Sequence, residues 1–193
     1  MVYPGQRIEN PVTGEIWELI TTSAQANAPH VQMTWTVKPE RPIPFPHLHP
    51  AFDERIDVLH GGEMRVAMHG KTHIVYPNGR ITIPRNTPHQ AYNPSILPLV
   101  CRVTYTPAGP VDQVIETLGW MAGHGYVNKR GMPPLLALIV LAEAFPGAYA
   151  TTRMTTFSPA VLRGLAFIGR MSGFRAHYGG DKALPERASR PKR

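Results

Sequence analysis

Two stretches of the chain place histidines and a carboxylate at spacings typical of a metal site. The first, "HLHPAFDERIDVLHGG" (47–62), contains His47 and His49 one residue apart and Glu54 five positions later. Residues i and i+2 of a strand point to the same face, so both imidazoles can bind one ion. Glu54 has the opposite parity, but Pro50 interrupts strand pairing, and a bend there can turn Glu54 toward the histidines.

The second stretch, "GRITIPRNTPHQAYN" (79–93), supplies His89 after a proline-rich turn. In an antiparallel meander, the chain between His49 and His89 is long enough to go out and return, so His89 can lie beside the first pair. Three neutral imidazoles and one carboxylate suit a borderline divalent transition metal, which leaves Fe, Mn, Ni, Cu and Zn open.

The elements that must position these side chains are short strands over residues 14–106. In "VQMTWTV" (31–37), apolar and polar residues alternate, as in a half-buried strand. Gly61-Gly62, Gly70-Lys71 and Pro77-Asn78-Gly79 indicate turns. Further strand-like runs are "EMRVAMHG", "KTHIVYP", "RITIP" and "LVCRVTY". Evenly spaced short strands favour a β-sandwich or a β-barrel.

The pattern becomes helical after Pro107. Val111, Val114, Ile115 and Leu118 share one helical face. Residues 133–145 are apolar except for Glu143, which predicts a helix buried against the core or a partner subunit and too short to span a bilayer. A third helix is predicted over 159–171, and a disordered tail after Gly179.

Charge and cysteine content limit the choice of partners and compartment. Cys101 is the single cysteine, so no internal disulfide can form, and the N-terminus has no apolar signal segment; we expect a cytoplasmic protein. The net charge of +7 comes entirely from residues 151–193, since residues 1–150 carry 11 Lys/Arg and 11 Asp/Glu. We interpret this basic segment as a solvated face and expect neither nucleic acid nor a membrane surface as a partner.

Both stretches resemble the two signature motifs of the cupin superfamily. The first matches at His47, His49, Glu54 and Gly61, and the second at Gly79, Pro84, His89 and Asn93. Asn86 stands where cupins commonly have Gly, and the Gly79–Pro84 spacing is one residue short. The resemblance covers residues 7–106, and the whole chain is similar to small single-domain bacterial cupins (the cupin 2 type, with a conserved barrel) with a helical C-terminal extension.

This resemblance implies a mainly β fold. We expect a single cupin jelly-roll β-barrel over residues 1–106, followed by about three C-terminal α-helices (107–178) that pack on the barrel or a partner subunit, and a disordered basic tail (179–193). It further implies that His47, His49, Glu54 and His89 are metal ligands. Asp53 is a weaker candidate for the carboxylate, because it lies at the wrong spacing from Gly61.

The same resemblance favours a small metal-dependent, dioxygenase-like oxygenase acting on a small organic molecule, in which Glu54 can leave the metal and accept a proton. A metal-dependent isomerase, cyclase or lyase and a non-catalytic ligand-binding or sensor protein stay open, and we expect a homodimer. The residues that line the pocket are also open, among Gln32, Trp35, Tyr92, Arg102 and Tyr105. The remaining histidines of the strand segment are expected at the surface: His30, His60, His69 and His73.

Overall fold

The computed structural model describes residues 2–39, 41–42 and 45–176. The predicted basic tail at 179–193 lies outside these residues. The strands are β1 Arg7–Glu9, β2 Ile16–Thr21, β3 Val31–Val37, β4 Arg41–Pro42, β5 His47–Leu48, β6 Asp53–His60, β7 Met64–Met68, β8 Lys71–Val75, β9 Arg80–Ile83, β10 His89–Asn93, β11 Leu99–Thr106 and β12 Ala150–Thr151. The helices are α1 Val111–Gly123, α2 Leu135–Ala144 and α3 Pro159–Met171, with a 3₁₀ turn at Met154–Thr156.

The strands form two antiparallel sheets that share one core. The first sheet has the order β1-β2-β3-β11-β6-β9; the second has the order β12-β5-β10-β7-β8, with β4 also paired to β10. Met33 and Val103 of the first sheet and Met64, Val66 and Ala91 of the second belong to the same buried cluster. The prediction of a mainly β chain with three C-terminal helices is therefore confirmed.

The predicted alternation of β3 is borne out. Val31, Met33, Trp35 and Val37 are buried, and the residues between them are half-buried. The turn after β6 needs glycine at Gly61, which has φ +106°, because a Cβ there would lie 2.3 Å from the carbonyl oxygen of Pro98. Burial of one strand face and close turn packing thus hold the first sheet in register.

Helix α1 is tied to the loop that follows β2 and to the edge of the first sheet. Near its N-terminus, the buried Asp112 carboxylate accepts hydrogen bonds from the backbone N–H and the hydroxyl of Ser23, each 2.7 Å long. Near its C-terminus, Gly119 lies against β1, where a Cβ would meet Ile8 Cγ2 at 2.5 Å. A glycine at 119 therefore allows α1 to approach the edge of the sheet closely.

The apolar helix α2 is covered within this chain. Its residues Ala137–Leu141 are buried, and α3 packs along it with Gly169 close to Val140. The apolar side chains of α2 are thus buried without a partner subunit. The homodimer stays a prediction. Across the described part of the chain, every helix is too short or too polar to cross a bilayer.

One element of the C-terminal segment was not predicted. Strand β12 pairs antiparallel with β5, opposing Ala150 to Leu48 and Thr151 to His47. The segment after residue 107 therefore joins the second sheet directly beside the first histidine of the motif.

Candidate metal centre

The four residues that the motifs single out converge. One ligand atom from each of His47, His49, Glu54 and His89 lies within 4.8 Å of the others. His89 begins β10 and pairs directly with His47 of β5, which explains how two distant motifs meet. Apart from the half-buried His47, the residues of this cluster are buried. The described chain thus has a His₃Glu group that can hold a metal ion.

The change of sheet between β5 and β6 brings Glu54 inward. Strand β5 belongs to the second sheet and β6 to the first, so residues 49–52 cross from one to the other. Because of this crossing, the opposite strand parity of Glu54 does not turn it away from the histidines, and Glu54 is only 5% exposed. Asp53 lies outside the cluster, because its carboxylate accepts a 2.9 Å hydrogen bond from the backbone N–H of Arg85. The carboxylate available to an ion is therefore that of Glu54.

Each imidazole is held by a backbone carbonyl. Nδ1 donates to Phe45 O at 3.2 Å in His47, to Ala148 O at 2.6 Å in His49 and to Thr87 O at 2.9 Å in His89. A carbonyl can only accept, so Nδ1 carries a proton in each ring, and Nε2 is the nitrogen left for a metal. This is the outer-sphere arrangement that orients histidines toward a metal.

Unsatisfied atoms in the cluster fit a cation. His49 Nε2 and Glu54 Oε2 are buried without a hydrogen-bond partner, 3.4 Å apart. His89 Nε2 lies 2.8 Å from the same Oε2. Two electron-pair donors this close repel each other unless a proton or a cation lies between them. Imidazole nitrogens and one carboxylate oxygen are donors suited to a first-row divalent metal.

The electrostatics keep the donors ready for a metal. Burial, together with His89 and His49, lowers the pKa of His47 to about 3, so this imidazole is neutral. Burial opposes ionisation of Glu54, but contacts with His49 and His89 outweigh it and hold the pKa of Glu54 well below its usual value. Burial lowers the pKa of His89, but the neighbouring Glu54 outweighs this effect, and the pKa is raised. A metal ion bound to the cluster would compete with a proton on His89.

Tyr105 anchors the second oxygen of Glu54. Its hydroxyl donates a 3.0 Å hydrogen bond to Glu54 Oε1, and the two residues are opposite each other on β11 and β6. Burial first, and the neighbouring Glu54 charge second, raise the pKa of Tyr105 well above its usual value. Tyr105 thus stays a donor and leaves Oε2 directed at the imidazoles.

A largely apolar cavity of about 110 Å³ adjoins the cluster. Its lining residues come from both sheets, from α1 and from the segment that follows α1: Asn10, Glu15, Trp17, Trp35, Phe45, His47, His49, Glu54, Val103, Tyr105, Val111, Val114, Ile115, Leu118, Gly131, Pro133 and Tyr149. The volume exceeds the roughly 10–15 Å³ that one water requires. The cavity therefore has room for a small organic molecule beside the donors.

The residues left open by the sequence separate into two groups. Trp35 and Tyr105 line the cavity. Gln32 and Arg102 lie at a polar groove on the outer side of the first sheet, where Gln32 donates to Thr104. Tyr92 is half-buried and does not line the cavity. The other strand-segment histidines are half-buried or exposed, as expected: His30, His60, His69 and His73.

Two further residues of the second motif have structural roles. Asn86 adopts φ +61°, so the asparagine at a common glycine position does take a left-handed conformation. Asn93 is buried, and its amide donates to the carbonyls of Val37 and Leu97. These contacts fix the turn between β10 and β11 and so support the strand that carries His89.

Two parts of the site have no local signal in the amino-acid sequence. The carbonyl of Ala148, which orients His49, belongs to a loop 99 residues away along the chain. Glu15, at the entry to β2, is 3% exposed and lines the same cavity. A lone glutamate before a strand looks like a surface residue, and only the tertiary packing makes it part of the site.

Comparisons with known proteins yield distant matches to solved structures only. No family model matches the chain, and no curated protein matches it. A cupin-like protein from Thermotoga maritima is 17% identical, over 55% of this chain and 80% of that one, with a TM-score of 0.46. A cupin-2 domain protein from Shewanella frigidimarina is 16% identical, over 47% and 78%, with a TM-score of 0.39.

A third match is the cupin-2 domain of an XRE family transcriptional regulator from Enterobacter cloacae. It is 15% identical, over 48% of this chain and 95% of that one, with a TM-score of 0.42. Similarity at this level indicates nothing about function. By its own strand order the chain folds into two antiparallel sheets that share one core, with a group of four residues that can hold a metal.

Proposed function

We propose that the protein is a metal-binding cupin that acts as a small metal-dependent oxygenase of the dioxygenase type on a small organic substrate. The observation that carries this proposal is the convergence of four donor atoms within 4.8 Å of one another at the wall of an apolar cavity. His47, His49, Glu54 and His89 would hold the metal. When bound, a redox-active first-row metal there supplies Lewis acidity and the capacity for oxygen chemistry.

The residues of the chain have separable tasks in this proposal. The backbone carbonyls of Phe45, Ala148 and Thr87 orient the three imidazoles. Tyr105 holds the Glu54 carboxylate, whose Oε2 faces His49 and His89. Trp35, Val103 and the α1 side chains exclude water from the space where substrate would lie. The substrate expected from these walls is small and partly apolar.

A metal-dependent isomerase, cyclase or lyase is the second candidate, and the Tyr105–Glu54 hydrogen bond favours it. Its 3.0 Å length places a hydroxyl proton next to a carboxylate in the wall of the cavity. A group of this kind can pass a proton to or from a substrate without oxygen being consumed. The two candidates therefore differ in whether dioxygen disappears during turnover.

Metal content tests the shared part of the proposal. We expect the protein, purified without a histidine tag, to retain about one first-row metal per chain by mass spectrometry. Glu54→Gln should lose most of it, because the amide cannot supply an anionic ligand. Asp53→Asn is the matched control, since that neighbouring carboxylate bonds to Arg85 outside the cluster. Equal metal content in both variants would contradict the proposed ligand set.

Oxygen uptake tests the reaction class. The Fe(II)-loaded protein, mixed with small aromatic or diketone substrates in an oxygen electrode, is expected to consume oxygen, and the Glu54→Gln variant is not. Stoichiometric metal with conversion of a substrate but no oxygen uptake would favour the isomerase, cyclase or lyase. A metabolite that survives purification and stays unchanged on incubation would favour a ligand-binding module without turnover.

A further inference from the structure

Glu15 is a second carboxyl group in the cavity, separate from the metal cluster. It lies in the loop that enters β2, is 3% exposed and lines the same cavity as His47, His49 and Glu54. It is not part of the group of donors within 4.8 Å of one another. The cavity thus presents two different polar sites to a ligand, joined by apolar walls.

Two uncharged side chains form hydrogen bonds with the Glu15 carboxyl group. Trp35 Nε1 donates to Oε1 at 3.2 Å, and the Thr13 hydroxyl bonds to Oε2 at 2.7 Å. An indole N–H can only donate, whereas a hydroxyl can donate or accept. Oε1 is therefore an acceptor, and a proton on Oε2 can be directed either to Thr13 or to a ligand.

Titratable groups face Glu15 from several elements. Tyr105 of β11 is close enough for the Glu15 charge to act on it, and Glu54, His47 and His49 line the same cavity. Tyr149, from the loop after α2, also lines it. Lys38 packs over the neighbouring Gly14, in the space that a side chain there would need.

Burial is the largest influence on Glu15 and raises its pKa to about 7. The carboxyl group is consequently protonated in a substantial fraction of molecules at neutral pH.

We infer that Glu15 is a ligand-binding residue that donates a hydrogen bond to a carbonyl oxygen of the molecule whose other end binds the metal. This inference rests on the proposed metal site. The ligand class that fits is a small, mostly apolar molecule with two oxygen functions, a metal-binding carboxylate or enolate and an uncharged ketone or aldehyde. Trp17, Trp35, Val103 and Ile115 supply the apolar walls between them.

The test uses matched probes on the protein loaded with Zn(II), which binds oxygen donors without redox chemistry. The ketones 4-oxopentanoate and 5-oxohexanoate are each compared with the analogue in which a methylene group replaces the ketone oxygen. Affinities are measured by calorimetry at pH 6 and pH 8, after the zinc content of each sample has been determined.

At pH 6, one of the ketones should bind about fivefold more tightly than its methylene analogue, the value of one hydrogen bond. The preference should disappear at pH 8, because a carbonyl cannot accept from an ionised carboxylate. Glu15→Gln should keep the preference at both pH values, since its amide N–H donates regardless of pH. Glu15→Met should lose it at both. A purely structural role of Glu15 would produce none of this pH dependence.

The outcomes separate this inference from the proposed function. A protein that binds no zinc contradicts the metal site and this inference with it. A zinc-loaded protein that shows no ketone preference with either probe overturns the role of Glu15 alone. A preference that persists in Glu15→Met also overturns it, because another donor would then be responsible.

Discussion

The strand region (residues 7–106) and the helical region (107–176) contribute to the site in different ways. All four donor residues come from the strand region. The helical region supplies the carbonyl that orients His49, the strand that pairs with His47 and much of the apolar cavity wall. The four donor residues thus lie in two short motifs, whereas their orientation and their shielding from water depend on distant parts of the chain.

Loss of a donor in the strand region should have the largest effect. We expect His49→Ala to weaken metal affinity more than about 100-fold, because even removal of an outer-sphere partner costs 10–100-fold. His60→Ala, an exposed histidine on β6, should leave the affinity unchanged. Competition with a chelator measures both. Similar affinities for the two variants would mean that the cluster does not hold the ion.

The pH dependence of stability tests how strongly the folded chain buries Glu15. Its pKa rises to about 7, so the folded state keeps a proton that the unfolded state releases near 4.5. Its contribution is therefore fully present below about pH 4.5, is lost as pH rises to about 7, and is constant above that. In urea unfolding, the free energy of unfolding of the wild type should fall by on the order of 3 kcal/mol relative to that of Glu15→Gln as the pH rises through this window. A difference independent of pH would show that the folded chain does not desolvate Glu15.

The outer-sphere role of the helical region can be tested at Gly147, beside the Ala148 carbonyl. Gly147 has φ +81°, and a Cβ there would meet Ala51 Cβ at 2.6 Å, so Gly147→Ala must shift this loop. We expect metal affinity to fall by about 10–100-fold. Gly125→Ala is the control, since Gly125 also has positive φ (+76°) but open space around it.

Both glycine variants should lose about 1 kcal/mol or more of stability to backbone strain. Only Gly147→Ala should also lose metal, as measured by chelator competition on samples matched for thermal unfolding. Equal metal affinity in the two variants would mean that the Ala148 carbonyl does not govern the orientation of His49.

The same contrast explains what the sequence could predict. His47, His49, Glu54 and His89 were identifiable because each lies at the spacing of one of two short motifs, although strand parity alone turned Glu54 away from the histidines. The alternation of β3 was identifiable from strand periodicity. Strand β12 was missed because two residues after a glycine turn carry no periodicity, and their pairing with β5 is a tertiary contact. Glu15 was missed because its chemistry depends on desolvation, which no local pattern of residues encodes.

The outer face of α3 should give the smallest effect. Phe167 is 60% exposed there, so Phe167→Ser should change the free energy of unfolding by less than about 0.5 kcal/mol and leave metal affinity unaltered. Ala166→Ser is the informative contrast, because the neighbouring Ala166 is fully buried and its replacement places a hydroxyl in the core. Thermal unfolding at several protein concentrations measures both variants. A large, concentration-dependent loss for Phe167→Ser would place this face in an interface between copies of the chain, and the helical region would then contribute to assembly as well as to the site.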